Sequence, residues 1–422
     1  MRRVIKYGGT SLATPAHFEK AARTISSLTE VGEQVAVVVS AMADETSELL
    51  RTLDIATHGK ADYKTQVEIV SIGEEKSALM MTAALSTLKV PAVAFYPLKK
   101  ETWPIVVDSD DTSPIALNKI NEERDFTLRT QKTLNRFNKY VLPLLRVGTV
   151  PVIAGFVAIN SQDELLVLGR GGSDITAFIV AKYIDADEIV IVTDVEGVMS
   201  SDPRLVENPV LLQELSVEDA EAIAASGSRV IHPKALKYKT PQMNVKIIDF
   251  RNQKELAVRG TTIYGESSAS IFKNDKKLSM LTIIGTNWAN KPGILQKFSS
   301  ILAEKGISIN SSTVNARFIC FFVAEEDAEE AHRALHSEAV AGADGFISLN
   351  LTGGVGEICL RSSAFIEASG VIADFTRVLA RSKINILEML TTATDIYIYV
   401  KWEDLEEAYN ALHRLIKLHW QK

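Results

Sequence analysis

The sequence predicts an α/β protein: a mostly parallel sheet sandwiched by helices, followed by two small ferredoxin-like βαββαβ modules. Three observations predict it. First, short β-branched apolar runs recur through the first ~265 residues, at positions 4–7, 35–39, 150–156, 188–192 and 245–248, with helical stretches between them, notably 175–184. Strands apolar on both faces are the mark of a parallel sheet covered by helices. Second, composition shifts over 265–277, a stretch rich in Ser, Lys and Asp that reads as a linker or hinge. Third, the C-terminal part of the chain repeats itself. Glu326-Asp327-Ala328-Glu329-Glu330-Ala331 matches Glu403-Asp404-Leu405-Glu406-Glu407-Ala408, an offset of 77 that also relates Gly293 to Gly370 and Ile307 to Ile384. A constant register over that distance means two copies of one module. Each copy reads strand, Gly-turn, helix, strand, strand, helix.

Composition narrows the function. Of 422 residues, 46% are hydrophobic and 23% charged, which is ordinary globular usage. No apolar run approaches the ~18 residues that span a bilayer, so no membrane partner is expected. The net charge of −7 and the lack of a basic block argue against nucleic acid. Two lone cysteines, Cys320 and Cys359, sit in apolar strand-like runs, which fits a reducing, cytoplasmic setting. His332 and His336 have a zinc-compatible spacing, but a solvated helix face is the favoured reading and no metal site is predicted.

Three stretches carry candidate chemistry. Lys6-Tyr7-Gly8-Gly9-Thr10-Ser11 ends a strand with a lysine and a Gly pair, ahead of a helix that Thr14-Pro15 should start. That layout suits an anion, although a Gly pair alone is more often just a turn. Gly169-Arg170-Gly171-Gly172-Ser173-Asp174 precedes another helix. Its Arg can grip a carboxylate bidentately, whereas Ser173 or Asp174 taken alone reads as an N-cap. Thr193-Asp194-Val195-Glu196-Gly197-Val198 comes after a strand, with Asp202-Pro203-Arg204 behind it. Ligands of open parallel sheets bind beyond the strands' carboxyl ends, and all three stretches lie there. Neither a Walker motif nor Gly-x-Gly-x-x-Gly after a strand occurs, so the P-loop and Rossmann readings fall.

Together with Val38-Val39-Ser40-Ala41-Met42, and with Gly227-Ser228-Arg229-Val230-Ile231-His232-Pro233, these stretches closely resemble the aspartate kinases of the amino-acid-kinase family, in the family's order and over nearly the whole chain. The two C-terminal copies resemble its paired ACT modules. The resemblance implies a catalytic domain over 1–265, a linker and strand over 266–278, and ACT modules over 279–340 and 341–422.

It further implies phosphorylation of the L-aspartate side-chain carboxylate by ATP with Mg2+, opening the route to lysine, threonine and methionine. Lys6 would reach the transferring phosphoryl group and Asp174 would organise that lysine. Tyr7, Gly8, Gly9, Thr193, Asp194, Met199, Arg204 and Arg229 would face ATP. Arg170 would bind an aspartate carboxylate, Glu74 the ammonium, and Ser40, Thr46, Phe156 and Ser173 would complete the amino-acid pocket. Met199 stands where the family usually has Tyr, and Arg229 where Lys is common. The stretch Ala43-Asp44-Glu45-Thr46-Ser47 departs from the usual substrate loop while keeping Thr46. In the regulatory half, Asn287, Gly293, Ile294 and Asn310 match the effector loop, implying feedback by lysine or threonine at one site. Residues 270–272 match the strand that the family threads into the second module. A homodimer or dimer of dimers through the ACT modules is implied. Rivals are a relative acting on another acid and a non-catalytic amino-acid sensor, against which the intact Lys6, Arg170 and Asp174 argue.

Overall fold

A computed structural model describes residues 1–111, 115, 124–227, 231–253, 259–266, 269–286, 288, 292–342, 345–366 and 369–419. The chain forms two compact units, Met1–Ser267 and Ser268–Lys422.

The first unit is built on an eight-stranded sheet. Its first elements are β1 (Arg2–Tyr7), α1 (Pro15–Glu30), β2 (Gln34–Val39), α2 (Glu45–Thr57) and α3 (Tyr63–Thr87). The strand order is Glu214–Ser216, Thr261–Tyr264, Asn244–Asp249, Glu188–Thr193, β1, β2, Val150–Ala154, Ala92–Phe95. Every pairing is parallel except that of Thr261–Tyr264 with Asn244–Asp249. Val35 to Val39 in β2 are all at most 1% exposed, which is why that run carries no polar alternation. The helix Gly172–Ile184 is apolar on nearly every side because it is enclosed within this unit.

Helix ends obey local chemistry. Pro15 opens α1 behind an extended Thr14, although the Thr14 hydroxyl makes no capping bond. Asp62 caps α3, accepting the Thr65 N–H at 2.8 Å. Gly73 does not interrupt α3, so Glu74, although preceded by Ser-Ile-Gly, does not open a helix. It sits in the middle of one.

The second unit is one seven-stranded antiparallel sheet with helices Ile294–Glu304, Ala328–Gly342, Val371–Arg381 and Leu405–His419. Both copies show the expected strand–helix–strand–strand–helix order. They share one long strand, Phe346–Arg361. Its first part pairs with Leu278–Gly285 of the first copy, and its last part with Asp395–Lys401 of the second. The stretch read as a linker contains the short strand Ser270–Lys273, which pairs with Arg361 to Ile358 beside the second copy.

The shared strand also folds the sheet over. Phe322 and Tyr399 lie three strand positions apart, roughly 14 Å in a flat sheet, yet their rings stack at 3.9 Å. The turn-over is located by a register shift between Leu278 and Met280 and by Gly353-Gly354 opposite it. Inside the fold the Tyr399 hydroxyl donates to Glu357 Oε2 at 2.8 Å and lies 2.6 Å from Ser311 Oγ. Asn310 Nδ2 donates to the same carboxylate oxygen at 2.7 Å. Both cysteines are free and buried in this unit, and burial pushes the Cys359 thiol up to about 11.

Replacing Tyr399 by Phe keeps the stacked ring and removes the hydroxyl from a buried network. The expected cost is about 1–2 kcal/mol, read as a lower urea midpoint for the second unit with an unchanged m-value.

Candidate active site

The site is assembled where β1, β2, Val150–Ala154 and Glu188–Thr193 end together. Backbone bonds just past the strands lock these ends to one another. Gly8 N–H donates to Val192 O at 3.3 Å, Ser40 N–H to Tyr7 O at 3.1 Å and Gly155 N–H to Val39 O at 2.8 Å. Strand order reverses around β1, so this is the switch-point crevice of an open α/β sheet.

Lys6 leaves β1 into that crevice and ion-pairs with Asp174, Nζ to Oδ1 2.7 Å, both side chains largely shielded. Asp174 stands in the first turn of Gly172–Ile184, whose N-cap is Gly171 with no side-chain capping bond. Neither Ser173 nor Asp174 is therefore a cap, and Asp174 is free to hold the lysine. Gly171 has φ +69°, and a Cβ there would stand 2.4 Å from the His232 Cβ. Only glycine allows both the left-handed turn and the contact with His232, which is itself buried. Glycine is demanded again at Gly9, where a Cβ would meet the Ala41 carbonyl at 2.8 Å.

Ser173 packs on Gly155, and Phe156 lies against Gly172 with a strained φ of +66°. Thus Phe156 and Ser173 share one wall. Ser40 is the first residue after β2 and half-buried, and Thr46 lies in the first turn of α2.

Glu74 is 3% exposed on α3, in the same stripe as Val67, Val70, Ala78, Met81 and Leu85. Its Oε2 is buried without a hydrogen-bond partner among the described residues. Loss of water pushes the carboxyl up to about 8, against an Ala41 backbone bond and the charge of Lys6, which favour ionisation. Glu45, which no sequence motif singles out, adds negative charge from the start of α2.

The remaining residues expected at the site are more scattered. Gly8 lies beside the Lys6 Nζ, 3.6 Å from where its Cβ would be. Tyr7 turns its side chain into the core, fully buried with its hydroxyl on Gln253 Oε1 at 2.9 Å. Only its backbone borders the crevice. Ser11 is likewise structural, its hydroxyl donating to Val192 O at 3.2 Å. Arg170 is exposed and makes no ion pair among the described residues. Thr193 ends its strand and bonds Asp194 Oδ1 at 3.2 Å. Met199 is half-buried and bridges to Leu211. Arg204 is exposed and chelated by Asp202 within its own loop. Arg229 and Asn287 lie outside the described residues. Gly293 caps Ile294–Glu304 with φ +84°, and Ile294 starts that helix.

These features define an α/β fold with a charged crevice at the carboxyl ends of its central strands. The amino acid kinase family profile matches residues 1–249, and ACT domain profiles match 281–339 and 353–414. The chain belongs to the amino acid kinase family and carries two ACT domains. Its relatives narrow the class further. It is 28% identical to an aspartate kinase of Pseudomonas fluorescens, covering 98% of this chain and 97% of that protein. It is 26% identical to an aspartokinase of Thermus thermophilus, covering 98% of both chains. Among solved structures, the aspartate kinase from Synechocystis matches with TM-score 0.72 at 22% identity, over 98% of this chain and 69% of that one. E. coli aspartokinase III in complex with aspartate and ADP matches with TM-score 0.53 at 20% identity, over 98% and 99%. At these identities the structural likeness carries the fold.

Glu74 makes stability depend on pH. Between 4.5 and about 8 its carboxyl is protonated in the fold and ionised in the unfolded chain, so unfolding releases a proton and stability falls as pH rises through that window. Glu74→Gln removes this loss. The melting temperature of the variant should exceed that of wild type by a margin that grows from pH 5 to pH 8. A margin independent of pH would contradict the assignment.

Proposed function

We propose that this chain is an aspartate kinase, transferring the γ-phosphoryl group of ATP to the side-chain carboxylate of L-aspartate to give 4-phospho-L-aspartate. The observation that carries this reading is a crevice holding an oriented lysine on one side and a buried, uncompensated carboxylate on the other. The Lys6–Asp174 pair supplies a fixed positive charge for phosphoryl oxygens. Glu74 supplies the complement of an ammonium group. A molecule bearing an ammonium group and a carboxylate that attacks phosphorus satisfies both.

Each residue then has a role. Lys6 neutralises charge on the transferring group, and Asp174 fixes where its Nζ stands. Gly8 and Gly9 let main-chain N–H groups approach the phosphates, a cradle that a Cβ at Gly9 would fill. Arg170, exposed at the mouth, takes a substrate carboxylate. Ser40, Thr46 and Ser173 offer hydroxyls to the amino acid, and Phe156 forms its wall. Thr193, Asp194 and Met199 border the nucleotide, as do Arg204 once it is released from Asp202, and Arg229. Asp174 is engaged by Lys6, so the donor set fits a Mg2+ carried by the ATP phosphates. Bound there, that ion would neutralise phosphate charge. The substrate carboxylate is itself the nucleophile, so the protein contributes positioning and charge neutralisation.

The reading extends to a cytoplasmic biosynthetic enzyme opening the route to lysine, threonine and methionine, assembled as a homodimer or dimer of dimers through its ACT domains. One related structure is E. coli aspartokinase III in complex with lysine and aspartate, which supports feedback here by lysine, with threonine the alternative. Gly293, Ile294, Asn310 and Asn287 are the proposed effector positions.

The test is ADP formation with ATP, magnesium and L-aspartate, with hydroxylamine trapping the acyl phosphate. Wild type should give aspartyl hydroxamate and Lys6→Ala at least ~10^3-fold less while still folded at the assay temperature, although it melts lower because Asp174 loses its counter-ion. A folded wild type that traps no hydroxamate overturns the reading. In the same assay kcat/KM for aspartate should rise with pH up to about 8, as free Glu74 ionises. That limb should be missing in Glu74→Gln.

A further inference from the structure

The first residue of α2, Glu45, is not explained by the fold. Its Oε1 pairs with Lys76 Nζ on α3 at 2.7 Å. Its Oε2 is buried and has no hydrogen-bond partner among the described residues. A surface ion pair between two helices would leave the second oxygen in water, where it costs nothing. Here it is enclosed, as is the unpartnered Oε2 of Glu74.

The Glu45 side chain packs on α3 at Gly73, the residue before Glu74: a Cβ there would be in ordinary contact with the Glu45 Cγ and Cδ, at 3.5 and 3.6 Å. The preceding residue, Asp44, holds a left-handed φ of +61°, an uncommon backbone for a non-glycine, and so sets where α2 begins. The negative charge of Glu45 is felt at Glu74, which it disfavours from ionising. Two enclosed carboxylate oxygens on neighbouring helices, with a lysine on the other oxygen of Glu45 only, form an arrangement that a bound cation completes.

We infer that Glu45 is a second specificity-determining residue for the amino acid: with Glu74 it forms a two-carboxylate cradle for the substrate ammonium. This inference rests on the kinase reading and deepens it. The cradle selects amino acids over dicarboxylic acids that lack the ammonium group, because an acid without it leaves both carboxylates uncompensated. Lys76 competes for Glu45 from outside, so it weakens the cradle and does not create it.

The experiment compares wild type, Glu45→Gln and Lys76→Met in steady-state kinetics with L-aspartate and ATP, with succinate as a competing ligand of the same two carboxylates. Glu45→Gln keeps the shape and removes the charge. It should raise KM for aspartate about tenfold, leave kcat and KM for ATP within about twofold, and bind succinate no more weakly than wild type. Lys76→Met should leave KM for aspartate unchanged or lower. If Glu45 only ties α2 to α3, both variants will raise KM for aspartate alike and weaken succinate alike, and the inference is overturned. Turnover with an unchanged aspartate KM in Glu45→Gln overturns it alone. A wild type without aspartate turnover overturns it together with the kinase reading.

Discussion

The ion pair between Lys6 and Asp174 joins the end of a buried central strand to the first turn of a buried helix, and the site is arranged around that join. β1 is hydrogen-bonded on both sides, to β2 and to Glu188–Thr193, so the lysine backbone cannot shift without disturbing two pairings. The helix Gly172–Ile184 is enclosed by apolar neighbours on almost every side and is equally fixed. A flexible lysine between two rigid elements becomes a positioned charge. Its partner needs no capping duty because Gly171 makes the turn into the helix.

The same rigidity explains what could be read from sequence. β-branched runs such as 35–39 announce a strand buried on both faces, and the 77-residue offset announces a duplicated module. Both are local or periodic signals, and both were legible. The N-terminal lysine loop and the Gly-Arg-Gly-Gly-Ser-Asp stretch were legible as a pattern, but the pairing of Lys6 with Asp174 is a tertiary fact. Glu74 shows where reading by neighbours fails. Its immediate context, Ser-Ile-Gly-Glu, looks like a helix start, and the signal lay instead in a longer pattern. Positions 67, 70, 74, 78, 81 and 85 form one buried stripe of α3, with a carboxylate where an aliphatic residue belongs. Tyr7 shows the converse. It lies inside the most specific motif, yet strand alternation turns its ring into the core beside Gln253.

In the second unit the repeat predicted two modules but not their fusion through a single strand. Phe346–Arg361 serves both, and Ser270–Lys273 completes the second module from ahead of the first. Pairing of this kind is non-local, with partners such as Ser270 and Arg361 far apart in sequence, so periodicity does not reveal it; the family resemblance alone implied that 270–272 thread into the second module, and they do. The consequence is mechanical. Asn310 of the first module bonds Glu357 of the shared strand, which also accepts from Tyr399 of the second. Asn310 is therefore linked to both modules through one carboxylate.

The electrostatics of the crevice turn on which of its charges are matched from within. Lys6 has Asp174, and Lys76 has half of Glu45. Glu74 has an Ala41 N–H and two charges of opposite sign acting at a distance. Burying a carboxylate without a counter-ion destabilises the fold, and a structure retains such a group where a ligand supplies the missing charge. The sharp turns and close backbone approaches around Gly9, Gly171 and Phe156 point the same way. Each costs conformational freedom or strain at one edge of the sheet, and each narrows the distance between loops rather than adding a reactive side chain. On the proposed reading a site built in this manner needs no protein nucleophile: its chemistry would be that of bringing two substrates together, and its selectivity would lie in which of them carries the cation that Glu74 lacks.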